Sequence, residues 1–339
     1  MGGWDMYYFI VNTRSRTGKA KLIWNEVKEE LKKRGIAYEA YITQHKGHAT
    51  ELAEEITSGT SETVSLIIVG GDGTANEVFN GITDFARTKV GLIPTGSGND
   101  LGRGLGITGT PKEQLLQILD SDTVRKVDLG CVSWNHGREK RIFAISSGIG
   151  LDAEVCWKAL TAPVKKLLNA IHLGSLTYVL LTIETLFTMK TTSAKAILDE
   201  GQIVEMNKMI CSVAMNLPYE GGGVAMAPHA DCEDGKLSMC CISGIPKWRT
   251  FLCLPALVSG KHAGITGFTM TDSREMEIEL ERAMIVHADG EYCGEHRQLH
   301  YSCLPQQLQL ICERRRRGYG NTAFGLYDTS DIASECTHL

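Results

Sequence analysis

The chain has 339 residues, a net charge of −5 at neutral pH and a hydrophobic content of 43%. This length suits two domains, the apolar content excludes a disordered chain, and the negative charge argues against a nucleic-acid-binding protein. The eleven cysteines form no Cys-x-x-Cys pair, which favours reduced thiols over disulfides or a zinc site. Because the N-terminus lacks the pattern of a secretory signal, we expect a cytoplasmic location.

The first 120 residues predict an alternation of strands and helices. Hydrophobic periodicity places strands at 6–12, 37–43, 65–71 and 90–94, and helices at 19–33, 49–56, 76–82 and 111–119. Such alternation is typical of a parallel sheet with helices on both faces, which binds ligands at the carboxyl ends of its strands. We therefore expect a Rossmann-like, three-layer α/β domain over residues 1–125, with 303–313 as a candidate strand that returns to it.

The pattern changes after about residue 120, where extended segments dominate. Strands are expected at 124–133, 141–147, 194–198, 208–215, 237–242, 276–286 and 308–312, and one helical stretch at 152–189. Because most of these strands have no helix between them, they predict a β-rich domain, an antiparallel sandwich, over residues 126–302. The four arginines at 314–317 open a polar segment, and we predict a basic tail without fixed structure over residues 314–339.

A glycine-rich turn follows the third predicted strand. The apolar run at 66–69 stops at Gly70 and Gly71, and Thr74 followed by Glu77 predicts a capping box that opens a helix. A glycine turn that leads into a helix presents free backbone N–H groups to an anion. Asp72 would repel a phosphate in this turn unless a cation lay between them. The turn therefore predicts a site for nucleotide phosphates with a divalent metal ion.

A second glycine-rich turn, at residues 94–100, follows the fourth predicted strand and reads Pro-Thr-Gly-Ser-Gly-Asn-Asp. Neighbouring parallel strands end at the same edge of a sheet, so two such turns can hold one phosphate chain through their N–H groups. Asp100 supplies a second carboxylate for the metal. Arg103 supplies a cation for the phosphate oxygens.

The sequence Gly70-Gly71-Asp72-Gly73-Thr74 resembles the signature of the diacylglycerol kinase-type lipid kinases. This superfamily also includes sphingosine kinases, NAD kinases and phosphofructokinases. The second turn is similar to a family segment that ends in Asn-Asp, with an arginine three residues on. Further family-like segments follow in order at 147–153, 221–223, 231–237 and 288–291, so the resemblance spans residues 7 to about 312. Thr13 departs from the family, which usually has proline after the asparagine at position 12.

The resemblance implies a set of nucleotide-binding residues at the strand ends and in the two glycine turns. They are Asn12, Thr43, Gly71, Asp72, Gly73, Thr74, Asn76, Glu77, Thr95, Gly96, Ser97 and Arg103.

The resemblance also implies two Mg²⁺ sites and a general base. A catalytic Mg²⁺ network is expected around Asp72, Asp100 and Asp128. A structural Mg²⁺ is expected on the carboxylates of Asp231 and Asp234 and the backbone carbonyl of Lys236. Glu291, in the Asp-Gly-Glu turn, is expected to act with Asp72 in catalysis as the base that accepts a proton from the acceptor hydroxyl.

The expected function is that of an ATP- and Mg²⁺-dependent lipid kinase, a transferase of phospholipid biosynthesis that converts diacylglycerol to phosphatidic acid. Sphingoid bases, monoacylglycerol and phosphatidylglycerol remain open as acceptors. A soluble-substrate enzyme similar to the NAD kinases remains open as well, although the second-domain segments at 221–223 and 231–234 argue against it.

A lipid acceptor implies peripheral contact with a membrane, here the inner face. Two segments are candidates for this contact: the apolar stretch at 167–187, which follows Lys165 and Lys166, and the arginine run at 314–317. A homodimer is expected as a further possibility because several relatives of this fold associate, and no nucleic-acid partner is expected.

Overall fold

The computed structural model describes residues 6–59, 61–161 and 174–312. The predicted tail at 314–339 lies outside these residues, as does the first part of the apolar stretch at 167–187. Within the described ranges, none of the helices combines the length and the hydropathy that crossing a bilayer requires.

The N-terminal part is a three-layer α/β domain, as predicted. Its strands are β1 (Tyr7–Val11), β2 (Tyr38–Ile42), β3 (Val64–Gly70) and β4 (Thr88–Pro94), which pair in parallel in the order β2-β1-β3-β4. Its helices are α1 (Lys19–Arg34), α2 (His48–Ser58), α3 (Asp72–Gly81), α4 (Asp100–Leu105) and α5 (Pro111–Asp120). The short helix α4 was not predicted, because six residues give no periodicity.

Alternate residues of the central strands fill two cores, one on each face of the sheet. Ile68 packs with α2 and α3, whereas Ile67 packs with α1 and α5. Strand β3 is buried along its whole length. A strand covered on both faces has a continuous apolar sequence, which is why β3 was clear from the sequence.

The second part is β-rich and antiparallel, as predicted. Its strands are β5 (Val124–Trp134), β6 (Glu139–Phe143), β7 (Ser146–Gly150), β8 (Thr192–Leu198), β9 (Ile203–Met209), β10 (Cys211–Met215), β11 (Leu237–Ile242), β12 (Phe268–Ser273), β13 (Glu275–Ala288) and β14 (Glu291–Ile311). The helices are α6 (Leu151–Thr161), α7 (Gly174–Thr188) and α8 (Lys247–Val258). The expected helix at 152–189 appears as α6 and α7, and residues 162–173 between them lie outside the described residues.

Two segments differ from the expected strands. The strand expected at 141–147 is broken into β6 and β7, because the backbone N–H groups of residues 144–146 bind the carboxylate of Asp289 instead of a neighbouring strand. The short strand expected at 308–312 is the end of the 21-residue β14. This strand pairs with β13 and β5 in the second part and, through Leu310 and Val90, in parallel with β4 of the first.

Candidate active site

The two glycine turns lie in contact at the carboxyl edge of the parallel sheet. Strands β3 and β4 are in register to their last residues, Gly70 and Pro94, and the N–H of Thr95 donates to the carbonyl of Gly70 (2.8 Å). A Cβ atom on Gly71 would lie only 3.0 Å from the Cα of Gly96. Any side chain at either position would separate the turns, so glycine is required at this contact.

A cavity of about 390 Å³ opens above this edge. This volume falls within the range of roughly 300–1,000 Å³ that is usual for small-molecule sites. The lining comes from the ends of three neighbouring strands, from α3, and from one residue of the second part of the chain. The lining residues are Asn12, Arg14, Ser15, Thr43, Gln44, His45, Lys46, Gly71, Gly73, Thr74, Glu77 and Glu291.

Asp72 and Asp100 form a carboxylate pair beside the turns. The Cβ position of Gly98 is 3.5 Å from the Oδ2 atom of Asp72 and 3.4 Å from that of Asp100, so the two oxygens converge. Burial and the nearby carboxylate of Asp100 raise the pKa of Asp72 to about 6, although two backbone N–H groups oppose the shift. Two close carboxylates with excess negative charge suit a hard divalent cation.

Helix α3 begins differently from the sequence-based expectation. Its N-cap is Gly71 and it makes no side-chain capping bond, so the predicted capping box of Thr74 and Glu77 is wrong. The hydroxyl of Thr74 accepts a hydrogen bond from Asn12 (3.0 Å). The carboxylate of Glu77 accepts the N–H groups of Gly47 and Ala49 at the start of α2. Thr74 and Glu77 thus hold β1 and α2 against the glycine turn.

Glu291 reaches the cavity from the hairpin that joins β13 and β14. The two loop residues, Asp289 and Gly290, have φ values of 49° and 81°, as a two-residue type I′ turn requires. The Oε1 atom of Glu291 lies 3.6 Å from the Cβ position of Gly73. The structure therefore places Glu291 over the first glycine turn.

The carboxylate of Asp289 anchors this hairpin. It accepts the backbone N–H groups of Ala144, Ile145 and Ser146 at 2.8–3.0 Å and a side-chain bond from Asn76 (2.9 Å). Asp289 is buried, which raises its pKa, whereas these donors lower it. Sequence reasoning included the Asp-Gly turn but gave Asp289 no role.

The cations of the site are not those expected. Arg103 pairs with the Oδ1 atom of Asp100 and donates to the carbonyl of Gly98, so its guanidinium is engaged within the second turn. Among the lining residues, the permanently charged cations are Arg14 and Lys46. The Nζ atom of Lys46 lies 2.6 Å from the Oε2 atom of Glu291. Loop lysines and arginines follow no sequence period, which explains why both were missed.

Asp128 bonds to residues other than Asp72 and Asp100. Its two carboxylate oxygens accept the N–H groups of Gly235 (2.7 Å) and Gln306 (2.6 Å), and it lines a second cavity together with Asp234. Burial, with the neighbouring carboxylates of Asp231 and Asp128, raises the pKa of Asp234. Asp128, on β5, thus bonds to the acidic turn that contains Asp231, Asp234 and Lys236, and its expected part in the catalytic Mg²⁺ network stays a prediction.

Six of the expected nucleotide-binding residues lie outside the cavity lining: Asp72, Asn76, Thr95, Gly96, Ser97 and Arg103. Asn76 is fully buried and bonds to Asp289, Arg141 and the carbonyl of Ile142, so it fixes the junction of the two parts. Thr95, Gly96 and Ser97 form the second turn beside the lining residues. The hydroxyl of Thr95 bonds to that of Ser15 (2.7 Å).

Comparisons with known proteins identify the class to which this fold and site belong. Residues 6–132 match the family model of the diacylglycerol kinase catalytic domain, and residues 151–312 match that of the YegS C-terminal NAD kinase beta sandwich-like domain. The chain therefore belongs to the diacylglycerol kinase-like lipid kinase family, as the sequence motifs had indicated, and this membership supports a kinase.

Individual relatives agree with this family. The chain is 28% identical over 290 residues to “Putative lipid kinase YtlR” of Bacillus subtilis (strain 168), covering 85% of this chain and 94% of the relative. It is 27% identical over 273 residues to a diacylglycerol kinase of the same organism, covering 79% of this chain and 84% of that one. A solved structure, “a putative diacylglycerol kinase from Bacillus anthracis str. Sterne”, shares the fold with a TM-score of 0.70 at 22% identity, over 92% of this chain and 99% of that one.

Proposed function

We propose that this protein transfers the γ-phosphoryl group of ATP to the hydroxyl of diacylglycerol, giving phosphatidic acid and ADP. One observation carries the proposal: Glu291, from the second part of the chain, lies over Gly73 in the cavity that Gly71 and Gly73 of the first glycine turn also line. A carboxylate that can activate an alcohol thus faces backbone N–H groups that can bind phosphates, as phosphoryl transfer to an alcohol requires.

The donor nucleotide would lie with its phosphates along Gly71 and Gly73. The N-terminus of α3 directs its free N–H groups to this point, and the helix dipole favours negative charge there. Arg14 and Lys46 would bind phosphate oxygens, and Thr43 and Asn12 would contact the nucleotide from the neighbouring strand ends. Positive charge at the transferring group stabilises the charge that develops on it.

Asp72 and Asp100 would hold a divalent cation, which we propose to be Mg²⁺. Their converging oxygens are the hard ligands that this ion prefers, and burial together with the carboxylate of Asp100 raises the pKa of Asp72, a shift that a bound cation would offset. When bound, the ion would neutralise charge on the phosphates. Arg103 and the N–H of Gly222, which both bind Asp100, would fix the second carboxylate.

Glu291 would orient the acceptor hydroxyl and accept its proton as the oxygen attacks the γ-phosphorus. The ion pair with Lys46 ties up one carboxylate oxygen of Glu291. If the ammonium group of Lys46 moved from Glu291 to the nucleotide phosphates, that oxygen would become free to bind the acceptor hydroxyl. Donor binding and activation of the base would then be linked through one side chain.

The acidic turn of Asp231, Asp234 and Lys236 is our candidate for a structural Mg²⁺ site. The carboxylate oxygens of Asp231 and Asp234 are suitable ligands, and Asp128 fixes the turn through the N–H of Gly235. A cation there would offset the raised pKa of Asp234.

We further propose that the protein docks on the inner membrane face through α8 and its neighbours. Trp248, Phe251 and Leu252 lie on one face of α8 and are exposed by 60%, 38% and 65%. Phe187 of α7 extends this face, with its ring 6.0 Å from that of Phe251. Arg249 follows Trp248 and would attract anionic headgroups, whereas the ammonium group of Lys247 donates to the backbone carbonyls of Phe187 and Met189.

The apolar face continues towards the catalytic hairpin. Helix α7 packs against both α6 and α8, and Trp157 of α6 stacks on Tyr292 at a ring separation of 4.3 Å. Tyr292 directly follows Glu291 in the chain. A lipid that enters along these helices would therefore arrive beside the proposed base.

The acceptor is tested by offering labelled ATP and Mg²⁺ with different acceptors. Phosphatidylcholine vesicles would contain diacylglycerol, monoacylglycerol, a sphingoid base or phosphatidylglycerol, and NAD would be supplied in solution. We expect the label in phosphatidic acid. Label on another lipid would identify a different acceptor and leave the proposed lipid kinase activity in place. Label on NAD alone, or on no acceptor, would contradict the proposal.

A further inference from the structure

A buried histidine lies directly behind the hairpin that carries Glu291. His287 is the penultimate residue of β13, and its ring is enclosed between the hairpin and the start of α6. The Nε2 atom contacts the Oδ2 atom of Asp152. The Nδ1 atom accepts the backbone N–H of Gly290 at 3.1 Å. The imidazole thus joins α6 to the residue that precedes Glu291.

These two contacts define one neutral form of the ring. A nitrogen that accepts the Gly290 hydrogen is unprotonated, so the ring hydrogen is on Nε2 and is donated to Asp152. Burial lowers the pKa of His287, whereas the carboxylates of Asp152, Glu220 and Asp289 raise it to a net value of about 9. Protonation of Nδ1 would direct its N–H at the N–H of Gly290. The turn geometry therefore opposes the imidazolium form, whereas the neighbouring carboxylates favour it.

The same geometry argues against a metal ion at this place. Asp152, Cys156 and His287 offer ligand atoms that lie close enough together for one ion. An imidazole that binds a metal through Nε2 carries its hydrogen on Nδ1 and donates it to an acceptor. Here Nδ1 faces the donor N–H of Gly290 instead.

The ring has little freedom to move. A Cβ atom on Gly148, in the neighbouring strand β7, would lie 2.9 Å from Nε2 and closer still to Asp152. The hydroxyl of Ser147 donates to the backbone carbonyl of His287 at 2.6 Å. A side chain that is packed and bonded at both ends can hold the turn in one position.

We propose that His287 is a positioning residue for Glu291: with its ring oriented by Asp152, it fixes the Gly290 amide and thereby the carboxylate that faces the donor turn. This inference rests on the proposed function, since it gives His287 a role through the base. Asp289, the other residue of this turn, is fixed through its own carboxylate by the backbone N–H groups of residues 144–146, so the side chains of His287 and Asp289 share the positioning of Glu291.

Two substitutions separate the bond to Gly290 from the bond to Asp152. In His287→Asn, the amide oxygen lies near the position of Nδ1 and can accept from Gly290, while the contact with Asp152 is lost. In His287→Gln, the terminal amide reaches towards Asp152 but leaves Gly290 without an acceptor. Glutamine fills the space of the imidazole more completely than asparagine does, so a role in packing alone would make His287→Asn the more damaging of the two variants.

Activity with ATP and diacylglycerol vesicles, and ATP affinity by calorimetry, would be measured for both variants. We expect His287→Asn to keep kcat within about threefold, and His287→Gln to lose tenfold or more, since a misplacement of about 1 Å costs on the order of a hundredfold. Affinity for ATP should be unchanged in both. Equal kcat values in the two variants, or a loss confined to ATP affinity, would overturn the proposal.

Histidine ¹⁵N NMR of the full chain provides a readout that does not depend on turnover. The wild type should show an unprotonated Nδ1 resonance that is absent from the His287→Asn spectrum. If Nδ1 proves to be protonated, the positioning role fails whatever the activity. If Nδ1 is unprotonated but the wild type phosphorylates no acceptor, the proposed function fails and the contact with Gly290 stands.

Discussion

Lys46 shows how a single exposed side chain can connect the two parts of the site. Its side chain is 71% exposed, yet its ammonium group contacts Glu291 and lines the cavity in front of the glycine turn. An exposed ion pair contributes little to stability, on the order of 0–1 kcal/mol. We therefore assign Lys46 to the reaction rather than to the fold.

Replacement of Lys46 by methionine should lower kcat/KM for ATP by about tenfold or more, because a charge-assisted bond to phosphate is lost. Lys21, on the exposed face of α1, provides the control: Lys21→Met should leave kcat/KM unchanged. Steady-state kinetics over a range of ATP concentrations would check both. Equal values for the two variants would remove Lys46 from the site.

Glu220 gives the molecule a pH-dependent stability. Burial and the carboxylates of Asp152 and Asp100 raise the pKa of Glu220 to about 8. Between about pH 4.5 and about pH 8 the folded protein keeps a proton that the unfolded chain has released, so the free energy of unfolding falls as the pH rises through this range.

Glu220→Gln should remove this dependence, since glutamine resembles the neutral acid and does not ionise. Thermal unfolding would be followed near pH 5 and near pH 8.5. We expect the wild-type Tm to fall more than the variant Tm between these values, by several degrees. An equal decrease in Tm for the wild type and the variant would show that Glu220 is ionised in the folded protein.

Residue identity predicted some of these roles and missed others for physical reasons. Asp72, Asp100 and Glu291 stand in turns whose glycines mark them in the sequence, and the structure groups them at one edge. Asp128 also follows a recognisable motif, but its carboxylate bonds to Gly235 and Gln306, residues more than a hundred positions away. Such distant partners have no local signature, so the sequence did not reveal which group of acids Asp128 joins.

At the scale of elements, the β13–β14 hairpin is the part on which the site depends most. Its position is set by the carboxylate of Asp289, which satisfies three backbone N–H groups in the break between β6 and β7. These groups would otherwise be buried without partners, at a cost of about 1–3 kcal/mol each. The hairpin and the strand break therefore stabilise each other.

Asp289→Asn should lower the free energy of unfolding by about 2–4 kcal/mol, because an amide can accept fewer of these bonds and leaves a buried donor unpaired. Asp199→Asn is a matched control: Asp199 also accepts two backbone N–H groups, those of Arg274 and Glu275, but it is exposed. Asp199→Asn should lower the free energy of unfolding by less than about 1 kcal/mol. Urea unfolding would compare the two, and equal losses would contradict the anchoring role.

Regular elements were predicted best where burial was simple. Strand β3 showed a continuous apolar run and helix α1 a clear period. Helix α5 begins at Pro111, the first residue of the helix predicted at 111–119, with a capping box from Thr110 and Glu113. Helix α8 was missed, because its exposed face is as apolar as its buried one and it contains Pro255. An apolar exposed face obscures the helical period and is itself evidence for a docking surface.

At the scale of the whole molecule, β14 makes the two parts one structure. It pairs with β13 and β5 in the antiparallel part and with β4 in the parallel part. Glu291, at the start of β14, is therefore carried by a strand that ends in the α/β domain. The sequence predicted a short strand at 308–312 and a possible return of residues 303–313 to the α/β domain, but not the long pairing with β13 and β5. Long-range pairing decides such connections, and local patterns do not show it.

The apolar face of α8 predicts how the molecule meets a lipid surface. Leu252→Asp should reduce cosedimentation with anionic vesicles, because a charge is placed on the docking face. Leu22, on α1, has the same exposure of 65% as Leu252 and provides the control. Leu22→Asp should bind vesicles like the wild type. Unaltered binding of Leu252→Asp would rule out docking through α8.

The central claim is that Glu291 and the glycine turns form one phosphoryl-transfer site. It is tested most directly by the rate at which label from γ-labelled ATP appears in diacylglycerol with the wild type and with Glu291→Gln, alongside calorimetric ATP affinity. We expect the variant to lose about a hundredfold or more in rate, the usual contribution of a general base, with unchanged ATP affinity. A Glu291→Gln variant that transfers label at nearly the wild-type rate would contradict the claim.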